Sequence, residues 1–240
     1  MARVCEEPAN YTGGVGTLVI DSSNPVAWEE GRPRALEELE AGQSIIVPTD
    51  TVYGIACDAF SPEAVNTLLS HKGRGRHMPP PVLVASVDDV RRLVRTIPDG
   101  ARALMEQFWP GGVTVILEAA PDVEWDLGDT QGTVAIRMPD HPVALDLLRE
   151  SGPLAVSSAN LTGQHSSLTI DEALAQFGDA ISVYIDAGPV GHAYADAPGN
   201  PGSTIVDATE VASGGPWKVV RHGVVPWEDV KAVTGGEWEQ

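Results

Sequence analysis

The residues of this chain that could do chemistry fall in a few short groups set between apolar runs. Thr49, Asp50, Thr51 and Tyr53 follow Ser44–Val47 directly. Lys72, Arg74 and Arg76 stand on the glycine-broken stretch Lys72-Gly-Arg-Gly-Arg76. Arg137 ends the run Val134-Ala-Ile-Arg137, Ser158 and Asn160 follow a second such run, and Ser203 and Arg221 come late in the chain. Hydroxyls, one amide and several cations make a set for holding and orienting anions. They do not make a nucleophile–base set: Gly-x-Ser-x-Gly is absent, and neither Cys5 nor Cys57 has an evident activating partner. The basic loop lacks the Gly-Lys-Ser/Thr order of a P-loop. The six histidines lack metal-ligand spacing and read as surface residues, and no metal site is expected.

Each group also has a plainer reading. Thr49 or Asp50 could cap a turn. Lys72 to Arg76 could be a solvated basic turn, or a loop whose backbone and cationic heads surround phosphates. Arg137, projecting from the edge of the sheet before Met138-Pro139, could make a structural ion pair or take a small carboxylate through two parallel hydrogen bonds. Ser158 and Asn160 could be a turn and no more.

The elements that must position these groups alternate. Ser44–Val47 reads as a buried strand stopped by Pro48, with Gly54 allowing a tight turn beyond it. Ligands of α/β sheets bind outside the carboxyl ends of strands, which is where these hydroxyls would stand. A helix is expected over Pro33–Ala41, with Pro33 in its first turn, and another after the N-cap Ser61 and Pro62. Ser86 with Asp89 and Thr169 with Glu172 resemble capping boxes. Helices are also expected over Ala101–Phe108 and from Pro142. Further strands are expected at Thr17–Ile20, Val82–Ala85, Val113–Leu117, Thr133–Ile136, Pro153–Val156, Ile181–Ile185, Ser203–Val206 and Trp217–Val220. Ala187–Gly202, rich in Gly and Pro, reads as a long irregular segment suited to a lid. The alternation argues one α/β domain around a central twisted sheet, with no repeat and no linker.

Composition bounds the function. The 240 residues suit one large domain or two small ones, and 42% hydrophobic content with 25 Gly and 19 Pro describes a globular, loop-rich chain. No apolar run approaches a membrane span, and Met1–Pro8 has neither the basic start nor the apolar core of a signal peptide, so a cytoplasmic protein is expected. Two cysteines make no disulfide framework. A formal charge of −19, from 34 acidic against 15 basic residues, disfavours a large phosphate-backbone interface. It makes the clustering of Lys72, Arg74, Arg76, Arg137 and Arg221 in the candidate groups informative. A locally positive cleft in an acidic protein suits a compact polyanion such as a nucleotide.

Taken in order, Pro48-Thr-Asp-Thr-Val-Tyr-Gly54, Lys72-Gly-Arg74, Trp109-Pro-Gly111, Val134-Ala-Ile-Arg-Met-Pro139, Ser158-Ala-Asn160, Ser203-Thr-Ile-Val-Asp207 and Arg221-His-Gly223 resemble the threonylcarbamoyl-AMP synthase family (the YrdC-like domain), over most of residues 33–225. The resemblance implies an extension over 1–32, a catalytic YrdC-like domain over 33–225 with an open ligand cleft in a mixed sheet flanked by helices, and a tail over 226–240, in the single-domain form. It implies threonine contacts from Thr49, Tyr53, Arg137, Ser158 and Ser203. ATP contacts are implied from Lys72, Arg74, Met78, Thr133, Asn160 and Arg221, with Lys72 and Arg74 catalytic.

The implied reaction makes threonylcarbamoyl-AMP and pyrophosphate from L-threonine, bicarbonate and ATP, with Mg2+ on the triphosphate. Downstream transferase proteins would pass the group to a tRNA adenosine, and tight tRNA binding by this chain is not expected. Gly75 and Met78 depart from the family's usual Pro and Lys/Asn, which bears on contacts from that loop. Two other readings remain open: a double-stranded RNA-binding module without catalysis, and a carbamoyl-transfer accessory domain like those inside hydrogenase-maturation proteins.

Overall fold

The structure is a computed structural model and describes residues 12–13, 16–197 and 199–239. Cys5, the stretch read for a signal peptide, Gly14 and Pro198 lie outside the described residues. In chain order the elements are β1 (Thr12–Gly13), β2 (Thr17–Asp21), α1 (Pro25–Glu40), β3 (Ile45–Val47), β4 (Gly54–Asp58), α2 (Pro62–His71), β5 (Val82–Leu83), α3 (Val87–Leu93), α4 (Asp99–Phe108), β6 (Val113–Glu118), β7 (Thr133–Arg137), α5 (Pro142–Ser151), β8 (Leu154–Ser158), α6 (Ile170–Phe177), β9 (Val183–Asp186), β10 (Thr204–Asp207), β11 (Trp217–Arg221), α7 (Trp227–Thr234) and β12 (Trp238–Glu239). All the strands join one mixed sheet in the order β1-β2-β9-β3-β4-β8-β5-β7-β6-β10-β11-β12.

Three local expectations change. The first helix begins at Pro25, because Asn24 accepts hydrogen bonds from the Val26 and Ala27 amides and Pro25 supplies the first-turn φ; Pro33 lies inside the helix. Gly54 opens a strand instead of a tight turn. Its φ is not positive, and a Cβ there would meet Val156 Cγ1 at 2.6 Å, so the glycine serves a close approach to β8. The capping box at Thr169 and Glu172 is present, whereas Ser86 caps its helix and donates to Asp89 without the reciprocal backbone bond. The ends of the chain belong to the same sheet: β2 pairs with β9, and β12 pairs with β11 beside α7.

Successive strand residues point to opposite faces, and here the two faces are treated differently. Ile46, Ile55, Cys57, Val115, Ile136 and Val206 lie on the face that α2, α3, α4 and α6 cover. Ile45, Val47, Ala56, Leu154, Val156 and Ile185 point the other way, under α1 and α5. Those two helices are tied together by Asp146, which accepts from Trp28 Nε1 at 2.9 Å and from Arg32 at 2.7 Å. They cover only the half of that face built on β2, β9, β3, β4 and β8. The β7–β6–β10–β11 half carries no helix.

Candidate active site

That uncovered half is the floor of a cavity of about 510 Å3, within the 300–1,000 Å3 range usual for small-molecule sites. Its lining reads in steps of two along the strands: Thr133, Ala135 and Arg137 on β7, Thr114 and Ile116 on β6, Ser203 and Ile205 at and in β10, Val156 and Ser158 on β8. The ligand space therefore lies across the half of that face unfilled by helices and, as expected, reaches the carboxyl ends of strands, at Thr49 and Thr51 beyond β3, Arg137 on β7 and Ser158 on β8. Among the described lining residues are three arginines (Arg74, Arg137, Arg221) and no carboxylate. In a chain of charge −19 this is the locally positive cleft that the sequence suggests.

Arg137 sits at the carboxyl end of β7, a strand in the interior of the sheet, and is 7% exposed. Its Nε donates to Gly111 O at 2.8 Å, Nη1 to Thr51 Oγ1 at 3.0 Å and Nη2 to Asp50 Oδ1 at 2.6 Å. Three of five N–H groups are used, which leaves one on each terminal nitrogen. Both plain and functional readings hold at once: the guanidinium is ion-paired, and it still faces the cavity.

Arg221 reaches the cavity through an irregularity. Ile205 pairs with Arg221 but Val206 pairs with Val219, so Val220 is an extra residue in β11. A one-residue shift moves the following side chain to the opposite face. Without this bulge Arg221 would point with Trp217 and Val219 into the helix-covered side. As built, Arg221 donates from Nε to Ser203 O at 2.9 Å and from Nη2 to Ser203 Oγ at 3.0 Å, while Ser203 Oγ lies 2.6 Å from Thr114 Oγ1. Burial, then the like charges of Arg137 and Arg74, pulls the Arg221 guanidinium down to about 10.

The basic loop divides. Arg74 lines the cavity and donates to Ser157 Oγ at 3.0 Å, and burial lowers its pKa. Arg76 turns away, binding Asp126 and Asn66 in half-exposed surroundings. Lys72 is buried behind the cavity wall and does not line it. Its Nζ donates to Ser158 O and, at 2.7 Å, to Asn160 O, tying the Ser-Ala-Asn segment from the rear. Burial first, then Arg74, brings the Lys72 ammonium down to about 7. Gly73, at φ 59°, makes the turn out of α2. Gly75 has no positive φ; a side chain there would strike the His77 ring at 2.6 Å.

Of the other expected contacts, Met78, Thr133, Ser158, Asn160, Thr49 and Ser203 all line the cavity. Thr49 also holds its own turn, accepting from the Thr51 and Val52 amides at 3.2 Å. Ser158 Oγ donates to Asn160 Oδ1, and the Asn160 amide donates to Leu161 O and Gln164 O. Tyr53 does not line the cavity. Its ring is fully buried, and its hydroxyl donates to Gly188 O at 2.7 Å and accepts from the Ala187 amide at 3.0 Å.

Ala187–Gly202 is thus anchored at one end by Tyr53, with a 3-10 turn at His192–Tyr194 inside it. Two histidines are not surface residues: His71 and His141 are half-buried, with Nδ1 shielded and unpaired among the described residues. Sequence reasoning missed Thr114 and undervalued Thr51. A lone hydroxyl inside the apolar run Val113-Thr-Val-Ile-Leu117 was the available signal for the first.

The family model named Sua5_yciO_yrdC, described as "Telomere recombination", matches residues 37–223. A Mycobacterium tuberculosis protein is 47% identical over 219 residues, which is 91% of this chain and 96% of that one. A mouse protein named threonylcarbamoyl-AMP synthase is 37% identical over 208 residues, 85% of this chain and 71% of its own. The structure of P. abyssi Sua5 complexed with L-threonine superposes with a TM-score of 0.77 at 30% identity, over 88% of this chain and 59% of that chain. Escherichia coli YciO, at 22% identity and a TM-score of 0.71, shows the fold alone. With the motif order, the cavity and these matches together, the chain belongs to the Sua5/YciO/YrdC family.

Proposed function

We propose that this protein is an L-threonylcarbamoyladenylate synthase, a nucleotidyltransferase that makes threonylcarbamoyl-AMP and pyrophosphate from L-threonine, bicarbonate and ATP, in support of tRNA threonylcarbamoyladenosine formation by downstream transferases. The observation that carries this reading is the cavity with three arginines and no lining carboxylate, inside an acidic chain whose relatives bear the synthase name.

Threonine and bicarbonate condense to a carbamate with loss of water. A carbamate oxygen then bonds to the α-phosphorus of ATP as the bond to the β-phosphate oxygen breaks, and the electron pair leaves on pyrophosphate. Such a transfer needs positioning and charge neutralisation more than covalent help from the protein. Arg137 takes the threonine carboxylate on its two spare N–H groups. Arg221 and Arg74, which have hydroxyl and carbonyl partners but no carboxylate, take the charge that builds on the leaving pyrophosphate. Lys72 acts from behind, by fixing the Ser158–Asn160 backbone.

A divalent ion fits this site as a passenger on the triphosphate. Among the described residues no carboxylate lines the cavity, and no group of three His, Cys, Asp or Glu could cage a metal. Mg2+ so carried would add charge neutralisation at the phosphates.

Pyrophosphate release tests the reading. It should require ATP, threonine and bicarbonate together, and stop when any one is omitted. Turnover indifferent to threonine, or matched by other amino acids, would overturn it.

A further inference from the structure

We propose that Asp50 is a positioning residue that couples the threonine side of the cavity to the segment over residues 187–197, by holding Arg137 and Tyr194 at the same time. Asp50 does not line the cavity, and its carboxylate is 6% exposed. Oδ1 accepts from Arg137 Nη2 at 2.6 Å and from the Asp140 amide at 2.9 Å. Oδ2 accepts from the Tyr194 hydroxyl at 3.3 Å. One carboxylate thus touches the proposed substrate arginine, the turn that leads into α5 and the loop beside the cavity.

The contact is not isolated. A Cβ at Gly112 would meet Tyr194 Cζ and Oη at 3.2 Å, and Gly111 O accepts from Arg137 Nε at 2.8 Å. A Cβ at Gly191 would meet Thr51 O at 2.6 Å, and Thr51 Oγ1 accepts from Arg137 Nη1. The segment therefore rests on the backbone of the same groups that orient Arg137: Asp50, Thr51 and the Gly111–Gly112 turn. Arg137 cannot rotate without loosening one of these supports, and a displaced Tyr194 withdraws a donor from the carboxylate that fixes Arg137. Buried charge pairs of this kind resist the loss of one member, because the other is left uncompensated.

The inference rests on the assignment of threonine to Arg137, and its test is arranged to separate the two. Asp50→Asn, Asp50→Glu and Tyr194→Phe would be made in the full chain. Threonine and ATP would be titrated separately, and amide exchange over 187–197 followed without ligand. Asp50→Asn keeps the size but opposes an amide to the guanidinium. It should weaken threonine binding about tenfold or more while leaving ATP within about twofold, and it should speed exchange over 187–197. Asp50→Glu should restore part of both. Tyr194→Phe should speed exchange clearly and weaken threonine only a few-fold, about two to five.

Unchanged threonine affinity and unchanged exchange in Asp50→Asn would overturn the proposal. So would equal losses of threonine and ATP, which mark general damage to the fold. Exchange in Tyr194→Phe that matches the wild type would overturn the tie to the loop. If the wild type binds no threonine, the substrate reading fails, and the exchange data then decide the Asp50–Tyr194 tie by themselves.

Discussion

The arginines that line the cavity stand in two opposite electrostatic settings. Arg137 comes with its counter-ion: Asp50 lies 2.6 Å away, its carboxylate as buried as the arginine side chain. Arg221 and Arg74 have only neutral partners, the Ser203 carbonyl and hydroxyl and the Ser157 hydroxyl. A paired guanidinium is close to neutral overall, and offers two aligned donors more than a field. That suits a small zwitterion such as an amino acid, which must be oriented and gains little from net charge. Guanidiniums without a carboxylate partner in a half-buried setting gain most from a polyanion; burial first, then the like charges of Arg137 and Arg74, brings Arg221 down to about 10. One residue type, supplied or denied a carboxylate, thus fits two proposed roles, orienting for Arg137 and charge-neutralising for Arg221 and Arg74.

The sharpest way to break this division is Arg137→Ala. It removes the paired donors proposed for the threonine carboxylate and also leaves Asp50 buried without its partner. We expect threonine binding to fall by about 2–4 kcal/mol, with ATP binding nearly unchanged. Isothermal titration of each ligand checks this, and equal losses would erase the division. Arg221→Ala should give the reverse pattern, with ATP weakened by about 1.5–3 kcal/mol and threonine spared.

Lys72 gives the smallest effect, and one readable in stability. Its pKa is about 7 in the folded protein, against about 10.4 for a free lysine. Between those pH values the unfolded chain binds a proton that the folded chain does not, so this group's contribution to stability grows as pH rises from 7 toward 10.4 and is flat below 7. The stability difference between wild type and Lys72→Met, from urea unfolding, should therefore move in favour of the wild type between pH 7 and 9. A constant difference would mean that the two carbonyl acceptors keep Lys72 charged.

Much of this was legible in the sequence. The apolar runs, Ser61-Pro62 and Thr169 with Glu172 announce their elements through local periodicity and caps, which is information that neighbouring residues carry. Gly54-Ile-Ala-Cys-Asp58 was not legible as a strand. A short run buried on both faces has no alternation, and its glycine serves a contact with Val156 about a hundred positions away in the chain. The order of motifs pointed to the residues that line the cavity, including Arg74, Arg137, Ser203 and Arg221. It did not show that Lys72 and Arg76 turn away from the cavity, nor that Tyr53 braces a loop, since all three depend on partners distant in sequence. The Val220 bulge is invisible for the same reason, because register exists only between two strands.

The division of the site is tested most directly by salt. Screening weakens an interaction between net charges and leaves a buried, internally paired contact almost untouched. ATP and threonine would each be titrated into the wild-type protein at several ionic strengths. Raising salt from about 0.05 M to about 0.5 M should weaken ATP binding at least ~tenfold and threonine binding less than ~twofold. Parallel salt dependence for the two ligands would contradict it.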